Sequence, residues 1–90
     1  MLFSRRSKQA IKLRFYTTSG CHLCDQALDV ISSSLKRIPY ELEMIEIADS
    51  DALIEALGTK IPVLENPDIS SQLCWPFGVK EVRKLVDASV

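Results

Sequence analysis

The 90 residues are 47% hydrophobic and 26% charged, an ordinary composition for one small globular domain. The formal net charge of −1 gives no overall field that would attract nucleic acid or a membrane surface. No apolar run approaches the ~20 residues of a membrane-spanning helix, and three cysteines are too few for a secreted disulfide scaffold. We therefore expect a cytoplasmic protein, with a disordered or loosely attached lead-in over residues 1–10 and one domain over residues 11–90.

The first half of the chain predicts a strand, a helix and a second strand. Ile11 to Thr17 alternates apolar and polar residues, which is the period of a strand. Thr18-Ser19-Gly20 is a turn signal, and from His22 to about Arg37 apolar residues recur at helical spacing. Tyr40 to Ile47 then alternates again. Such a unit predicts two parallel strands joined by a right-handed crossover.

The second half predicts a short helix, a hairpin and a final helix. Ser50 and its neighbours offer N-caps for a helix over Ala52 to Leu57. Thr59 to Leu64, as a strand that begins around Pro62, and Ser71 to Trp75 are typical of two paired strands around a turn. The last helix carries one apolar stripe, formed by Val79, Val82, Leu85 and Val86. The predicted order is β-α-β-α-β-β-α, and because no apolar stripe is left over we expect a monomer.

A Cys-x-x-Cys motif, Cys21-His22-Leu23-Cys24, lies between the first strand and the first helix. The unpaired N–H groups and the positive dipole end of a helix start favour a thiolate, which is the reactive form of cysteine. The spacing sets the second sulfur one helical turn on, within reach of the first. The motif predicts a redox-active dithiol that closes and reopens a disulfide, with no bound metal or cofactor.

Two other interpretations of this motif remain open. The two thiolates could belong to a metal- or iron–sulfur-binding module, in which a dimer would supply four ligands. A non-catalytic adaptor could also keep the fold, in which case its function would not depend on the Cys21 thiol. Bound metal would indicate the first, and an inert Cys21→Ser substitution would indicate the second.

The element order, the placement of the Cys-x-x-Cys and the segment Ile61 to Leu64 resemble the thioredoxin fold. The short chain and Trp75-Pro76-Phe77 before the last helix resemble the small glutaredoxin-like proteins. This resemblance, over residues 11–88, implies an α/β, thioredoxin-like fold with a four-stranded mixed sheet and three helices. It also implies a thiol–disulfide oxidoreductase of electron transport and cell redox homeostasis, with Cys21 as nucleophile and Cys24 as the buried resolving thiol.

The resemblance further implies a substrate-binding region beside the dithiol. The Ile61–Pro62 bond is expected to be cis and packed against the cysteines, with the Ile61 backbone pairing to an extended substrate. A strand-starting proline in trans is the alternative. His22 and Leu23 complete the expected substrate-binding residues, and for His22 tuning of the dithiol and simple exposure are equal alternatives. The expected partners are a protein or small-molecule disulfide and a cellular reductant, either glutathione or a thioredoxin reductase.

Four features differ from the glutathione-using members of the family. Leu23 stands where they usually carry an aromatic residue, and Thr17-Thr18-Ser19 contains no lysine. Their Gly-Gly turn followed by an acid is missing, and Gly78 stands where an acidic cap is common. These departures count against a glutathione pocket. Glutathione remains as a candidate reductant, with Lys60 as a candidate partner for its carboxylate.

The third cysteine, Cys74, has no partner at motif spacing. Beside Trp75 on a predicted strand it is expected to be a buried apolar thiol, with a regulatory or glutathionylated thiol as the alternative. Trp75 and Phe77 are expected in the core or at the rim of the surface on which the final helix docks.

Overall fold

The computed structural model describes residues 10–88, so the predicted lead-in lies outside the described residues except for Ala10. Within them the elements follow the predicted order, which confirms the α/β, thioredoxin-like fold. They are β1 (Ile11–Thr17), α1 (His22–Ser34), β2 (Tyr40–Glu46), α2 (Asp51–Leu57), β3 (Val63–Asn66), β4 (Ser71–Cys74) and α3 (Val79–Asp87). Among these residues no helix is long and apolar enough to cross a membrane.

The four strands form one mixed sheet in the order β2-β1-β3-β4. β1 is parallel to β2 and antiparallel to β3, and β3 is antiparallel to β4. Tyr16 near the end of β1 pairs with Val63 at the start of β3. The end of β1 and the start of β3 therefore meet where the strands end on one side of the sheet. We call this row of strand ends the upper edge, as distinct from the edge strands β2 and β4.

The larger core lies on the face of the sheet covered by α1 and α3, the α1/α3 face. Side chains of β1 and β3 alternate across the sheet, so that Leu13, Phe15 and Leu64 share this face. The apolar stripes of the two helices pack onto them. The buried members of this core are Leu13, Phe15, Cys24, Ala27, Ile31, Leu35, Leu64, Phe77, Val82, Leu85 and Val86.

The opposite face, the α2 face, carries a smaller core beside the upper edge. Tyr16 and Val63 on the strands pack with Leu57 of α2 and with Ile47. Ile47 belongs to a 3-10 turn over Ile47–Asp49, so β2 ends one residue earlier than predicted. Ser50 caps α2 as predicted, because its hydroxyl accepts a hydrogen bond from the N–H of Leu53 at 3.3 Å.

Farther from the upper edge, the α2 face carries a polar network instead of a core. Arg14 lies 3.5 Å from a carboxylate oxygen of Glu43 and 3.6 Å from one of Glu65. The hydroxyl of Tyr16 donates a hydrogen bond to Glu65, and the side chain of Gln72 donates another at 3.4 Å. Burial and the contact with Glu65 raise the pKa of Tyr16 above its usual value.

The predicted extension of α1 to Arg37 is wrong, because the helix ends at Ser34. The next residue, Leu35, leaves the helical conformation with φ −116° and ψ 31°. Lys36 and Arg37 therefore lie beyond the last turn.

The third strand begins at Val63, which confirms the prediction of a strand that begins around Pro62 and leaves Thr59 to Ile61 outside it. Pro62 has no N–H to donate to a ladder, so regular pairing starts after it. The predicted stripe of α3 is wrong at its first residue, since Val79 is 42% exposed whereas Val82 is buried. Val79 begins the helix, ahead of the turns that pack against the sheet.

Candidate active site

The two cysteines of the motif form a disulfide at the upper edge of the sheet. The Cys21 and Cys24 sulfurs lie 2.14 Å apart and the Cα atoms 5.4 Å apart. Cys21 is the N-cap residue of α1, and Cys24 lies in its first turn. Cys24 is only 5% exposed whereas Cys21 is half-buried, so an approaching molecule reaches the Cys21 sulfur more easily.

The loop between β1 and α1 is bent tightly enough to set Cys21 at the helix start. The N–H of Cys21 donates to the carbonyl of Thr18 at 3.3 Å, which closes the turn. Gly20 has a φ of +80°, a conformation that glycine adopts without the steric cost of a side chain. The turn that the sequence predicts at Thr18-Ser19-Gly20 therefore sets Cys21 at the start of α1.

Glu46, the last residue of β2, fastens this loop from the neighbouring strand. One of its carboxylate oxygens accepts from the N–H of Ser19 at 3.1 Å, and the other accepts from the N–H of Ala48 at 3.0 Å. The pKa of Glu46 is lowered by the N–H of Ala48, by the Thr18 side chain and by the N–H of Ser19. Sequence reasoning placed Glu46 in a strand and missed this contact, for which the sequence carries no signal.

A second residue that the sequence did not reveal is Thr17, at the end of β1. Its hydroxyl donates a hydrogen bond to the sulfur of Cys24 at 2.9 Å. The sequence shows a threonine shortly before the motif, but the direction of its hydroxyl depends on how β1 and α1 meet. The structure thus gives the buried sulfur a polar neighbour.

The Ile61–Pro62 peptide bond is cis, as predicted, and the trans alternative is wrong. Because Tyr16 pairs with Val63, Pro62 follows in register opposite Thr17, the residue that contacts Cys24. Pro62 is buried, and its carbonyl accepts from the N–H of Trp75 at 3.0 Å. This proline therefore lies at the same edge as the disulfide, between β1 and the end of β4.

The remaining predicted substrate-binding residues are accessible to different degrees. His22 is exposed, Leu23 is 45% exposed and Ile61 is half-buried. The N–H of Ile61 already donates to the carbonyl of Leu57 at 3.2 Å.

The segment before α3 contains a second cis peptide bond, Trp75–Pro76, which the sequence analysis did not predict. The rings of Trp75 and Phe77 pack edge to face with their centres 5.1 Å apart. Phe77 is buried in the larger core, and the half-buried Trp75 packs against it. Their predicted position at the docking surface of the last helix is confirmed.

The prediction of a buried Cys74 is wrong, since this thiol is exposed. Cys74 pairs with Val63, and both residues face the α2 side of the sheet. β4 is an edge strand, and the smaller core on this face reaches Val63 but not Cys74.

Within residues 10–88, no group of three or more Cys, His, Asp or Glu residues could hold a metal ion.

The order of the elements, the mixed sheet and the Cys-x-x-Cys at the start of α1 place the molecule in the thioredoxin-fold class. The family model of the Glutaredoxin-like domain (DUF836) matches residues 12–87, and the chain belongs to this family. The predicted resemblance to the small glutaredoxin-like proteins is thereby confirmed.

A solved structure supports the same assignment. The chain is similar to the X-ray structure of the Northeast Structural Genomics target protein XcR50 from X. campestris, with 34% sequence identity and a TM-score of 0.70. The match covers 84% of this chain and 96% of that one. Among curated proteins, no match was found.

Proposed function

We propose that the protein is a thiol–disulfide oxidoreductase that cycles Cys21 and Cys24 between dithiol and disulfide while it reduces protein or small-molecule disulfides. The observation that carries the proposal is the disulfide between the N-cap residue of α1 and a residue of its first turn. A helix N-terminus favours a thiolate at Cys21, and the second sulfur is close enough to close the ring. Membership of a glutaredoxin-like family is consistent with a redox role.

The reaction consists of two thiol–disulfide exchanges. The Cys21 thiolate attacks one sulfur of the substrate disulfide, and the other substrate sulfur leaves as a thiolate. The Cys24 thiolate then attacks the Cys21 sulfur, and the bond between Cys21 and the substrate breaks. The substrate gains two electrons, its thiolates take protons from water, and the protein is left with the Cys21–Cys24 disulfide.

The residues around the disulfide would bind the substrate chain. The carbonyl of Ile61 offers a hydrogen-bond acceptor to an extended peptide, and Pro62 presents no competing N–H beside the sulfurs. Leu23 is 45% exposed and would contact apolar groups next to the substrate disulfide. His22 is exposed, so that it can face the same substrate or alter the charge near Cys21.

A cellular reductant must return the protein to the dithiol form. The proposal includes glutathione or a thioredoxin reductase as this partner, in a reducing cytoplasm, with the protein acting as a monomer. Lys60 is exposed and available to a glutathione carboxylate. The two reductants can be distinguished by supplying each one separately to the oxidised protein and measuring its free thiols.

The experiment that tests the proposal is a redox titration in glutathione buffers of set potential. Free thiols are trapped by alkylation and counted by mass spectrometry, in a Cys74→Ser background that removes the exposed third thiol. We expect Cys21 and Cys24 to oxidise together, with a midpoint between about −270 and −120 mV, the range of known dithiol oxidoreductases. Single glutathione adducts alone, or no disulfide at any potential, would contradict the two-cysteine mechanism.

A further inference from the structure

The hydroxyl of Thr17 is placed to act on the second step of the proposed reaction. We propose that Thr17 stabilises the Cys24 thiolate by hydrogen bonding and so controls the rate at which Cys24 resolves the mixed disulfide. This inference rests on the proposed function and assigns a further residue to the same site.

The position of Cys24 favours such a donor. The residue is 5% exposed and belongs to the apolar core between the sheet and α1. Burial in apolar surroundings disfavours a thiolate, because the charge loses its contacts with water. Yet Cys24 must become a thiolate to attack the Cys21 sulfur. A hydrogen bond donated to the charged form offsets this loss of hydration.

Thr17 is the residue that supplies this bond. Its oxygen lies 2.9 Å from the Cys24 sulfur, and within residues 10–88 no other hydrogen bond reaches that sulfur. The single hydroxyl hydrogen has one competing acceptor, the carbonyl of Thr18 at 3.5 Å. The sulfur is nearer, and its advantage grows when it becomes a thiolate, because bonds to ionised acceptors are the stronger ones.

The backbone holds both partners when the disulfide opens. Thr17 ends β1, where it is paired with Glu46 of β2, and Cys24 lies in the first turn of α1. Thr17 keeps its proton throughout the exchange and acts only as a donor. The electron pair of Cys24 forms the new bond to Cys21, and the electron pair of the broken bond leaves with the substrate thiolate.

The test is a two-phase reaction with Ellman's reagent at one equivalent, measured by stopped flow in the Cys74→Ser background. Attack by Cys21 releases one thionitrobenzoate, and resolution by Cys24 releases the second. Loss of a hydrogen bond to a charged group lowers the thiolate equilibrium about tenfold. Thiol nucleophilicity rises as the thiolate becomes less stable, so resolution by Thr17→Val should slow only about threefold at neutral pH.

The pH dependence gives this prediction a signature. Above the midpoint of both pH–rate profiles all the Cys24 is thiolate, and the more nucleophilic sulfur of Thr17→Val should resolve about threefold faster than the wild type. The two profiles should therefore cross, with the midpoint of the variant about one pH unit higher. The first release should change much less than the second, because the hydrogen bond of the Thr17 hydroxyl goes to the sulfur of Cys24 and not to that of Cys21.

Three variants control the experiment. Thr17→Ser keeps the hydroxyl and should retain the profile of the wild type, while Thr59→Val makes the same exchange at an exposed threonine and should change nothing. Thr17→Ala removes the hydroxyl without adding a methyl group, and serves if Thr17→Val does not fold. An unchanged second release, or one slowed equally at every pH, would overturn the role of Thr17. A single release from the wild type would instead contradict the proposed function itself.

Discussion

The two faces of the sheet are covered unequally. The α1/α3 face is packed along its length by two helices, and its core includes residues that are completely buried, such as Phe15 and Ile31. The α2 face has a compact core only beside the upper edge, around Tyr16 and Val63. Over the rest of that face, Arg14 and its partners remain partly in water.

The two cores are expected to contribute differently to the stability of the fold and to the surroundings of the disulfide. Burial of apolar area is the main source of folding free energy, so the α1/α3 face should carry most of it. The core of the α2 face is smaller, but it includes Leu57, whose carbonyl accepts from Ile61 beside the cis-proline. The core of the α2 face therefore lies directly beside the loop that carries the cis-proline.

The largest expected effect on stability comes from replacing a buried leucine by alanine, and the same replacement can be made on each face. Leu64→Ala on the α1/α3 face should lower the free energy of unfolding by about 4 kcal/mol, because a fully enclosed cavity remains. Leu57→Ala on the α2 face should cost about 2 kcal/mol, since its surroundings can collapse more readily. Urea denaturation measures both. Equal losses would show that the two cores contribute alike.

The next largest effect concerns Asn66, which is fully buried on the α1/α3 face. Its side-chain nitrogen donates to the carbonyl of Leu85 at 3.0 Å, and its oxygen accepts from the N–H of Asp68 at 3.2 Å. Asn66→Ala removes both bonds and should lower the free energy of unfolding by about 2 kcal/mol. Since Asn66 lies at the edge away from the disulfide, the midpoint of the redox titration should stay where it is.

A smaller effect should appear on the α2 face in alkali. The pKa of Tyr16 is raised by burial and by Glu65, so the unfolded chain loses this proton before the folded chain does. Its contribution to stability is complete below about pH 10, the ordinary tyrosine value, and is lost as pH rises through the folded-state pKa. Denaturation between pH 9 and pH 11, as rough limits around that value, should show this decline.

Two variants test the origin of this decline. Tyr16→Phe has no proton to lose, so its stability should fall less steeply over the same pH range. Glu65→Gln removes the negative charge that a tyrosinate would face, and it should reduce the slope in part. A slope that is the same in all three proteins would assign the alkaline transition to other groups.

The smallest effect is expected at Cys74, the exposed thiol on the edge of the α2 face. Cys74→Ser should change the free energy of unfolding by no more than about 0.5 kcal/mol, as is usual for surface substitutions. A loss well above that value would mean that the α2 face is covered at β4 in solution. Thermal or urea unfolding of this single variant decides the matter.

The elements could be predicted from the sequence because alternation and helical spacing directly reflect which face is buried. Leu13 and Phe15 alternate with Lys12 and Arg14, and the structure buries the first pair while it exposes the second. The dithiol could be predicted for a similar reason, since its spacing and the turn before it are local. Cys74 could not, because its exposure depends on how far α2 extends across a neighbouring strand.

The hydrogen bonds around the site likewise could not be predicted from the sequence. Thr17 and Glu46 pair in register at the ends of two parallel strands, and each reaches a different part of the loop or helix that follows β1. Such contacts depend on side-chain directions that no periodic pattern records. The early end of α1 could not be predicted either, because its apolar spacing continues to Leu35, where the backbone leaves the helical conformation.

The carboxylate of Glu46 also restricts where this domain can change in length. It joins the N–H of Ser19 to that of Ala48, so the connections that follow β1 and β2 are held in step with each other. One inserted residue in either connection would move one of these two donors away from the carboxylate. At the opposite end of the strands, Lys36 and Arg37 are exposed in the connection between α1 and β2. Insertions and deletions among versions of this domain should therefore accumulate there and spare the two connections that Glu46 ties together.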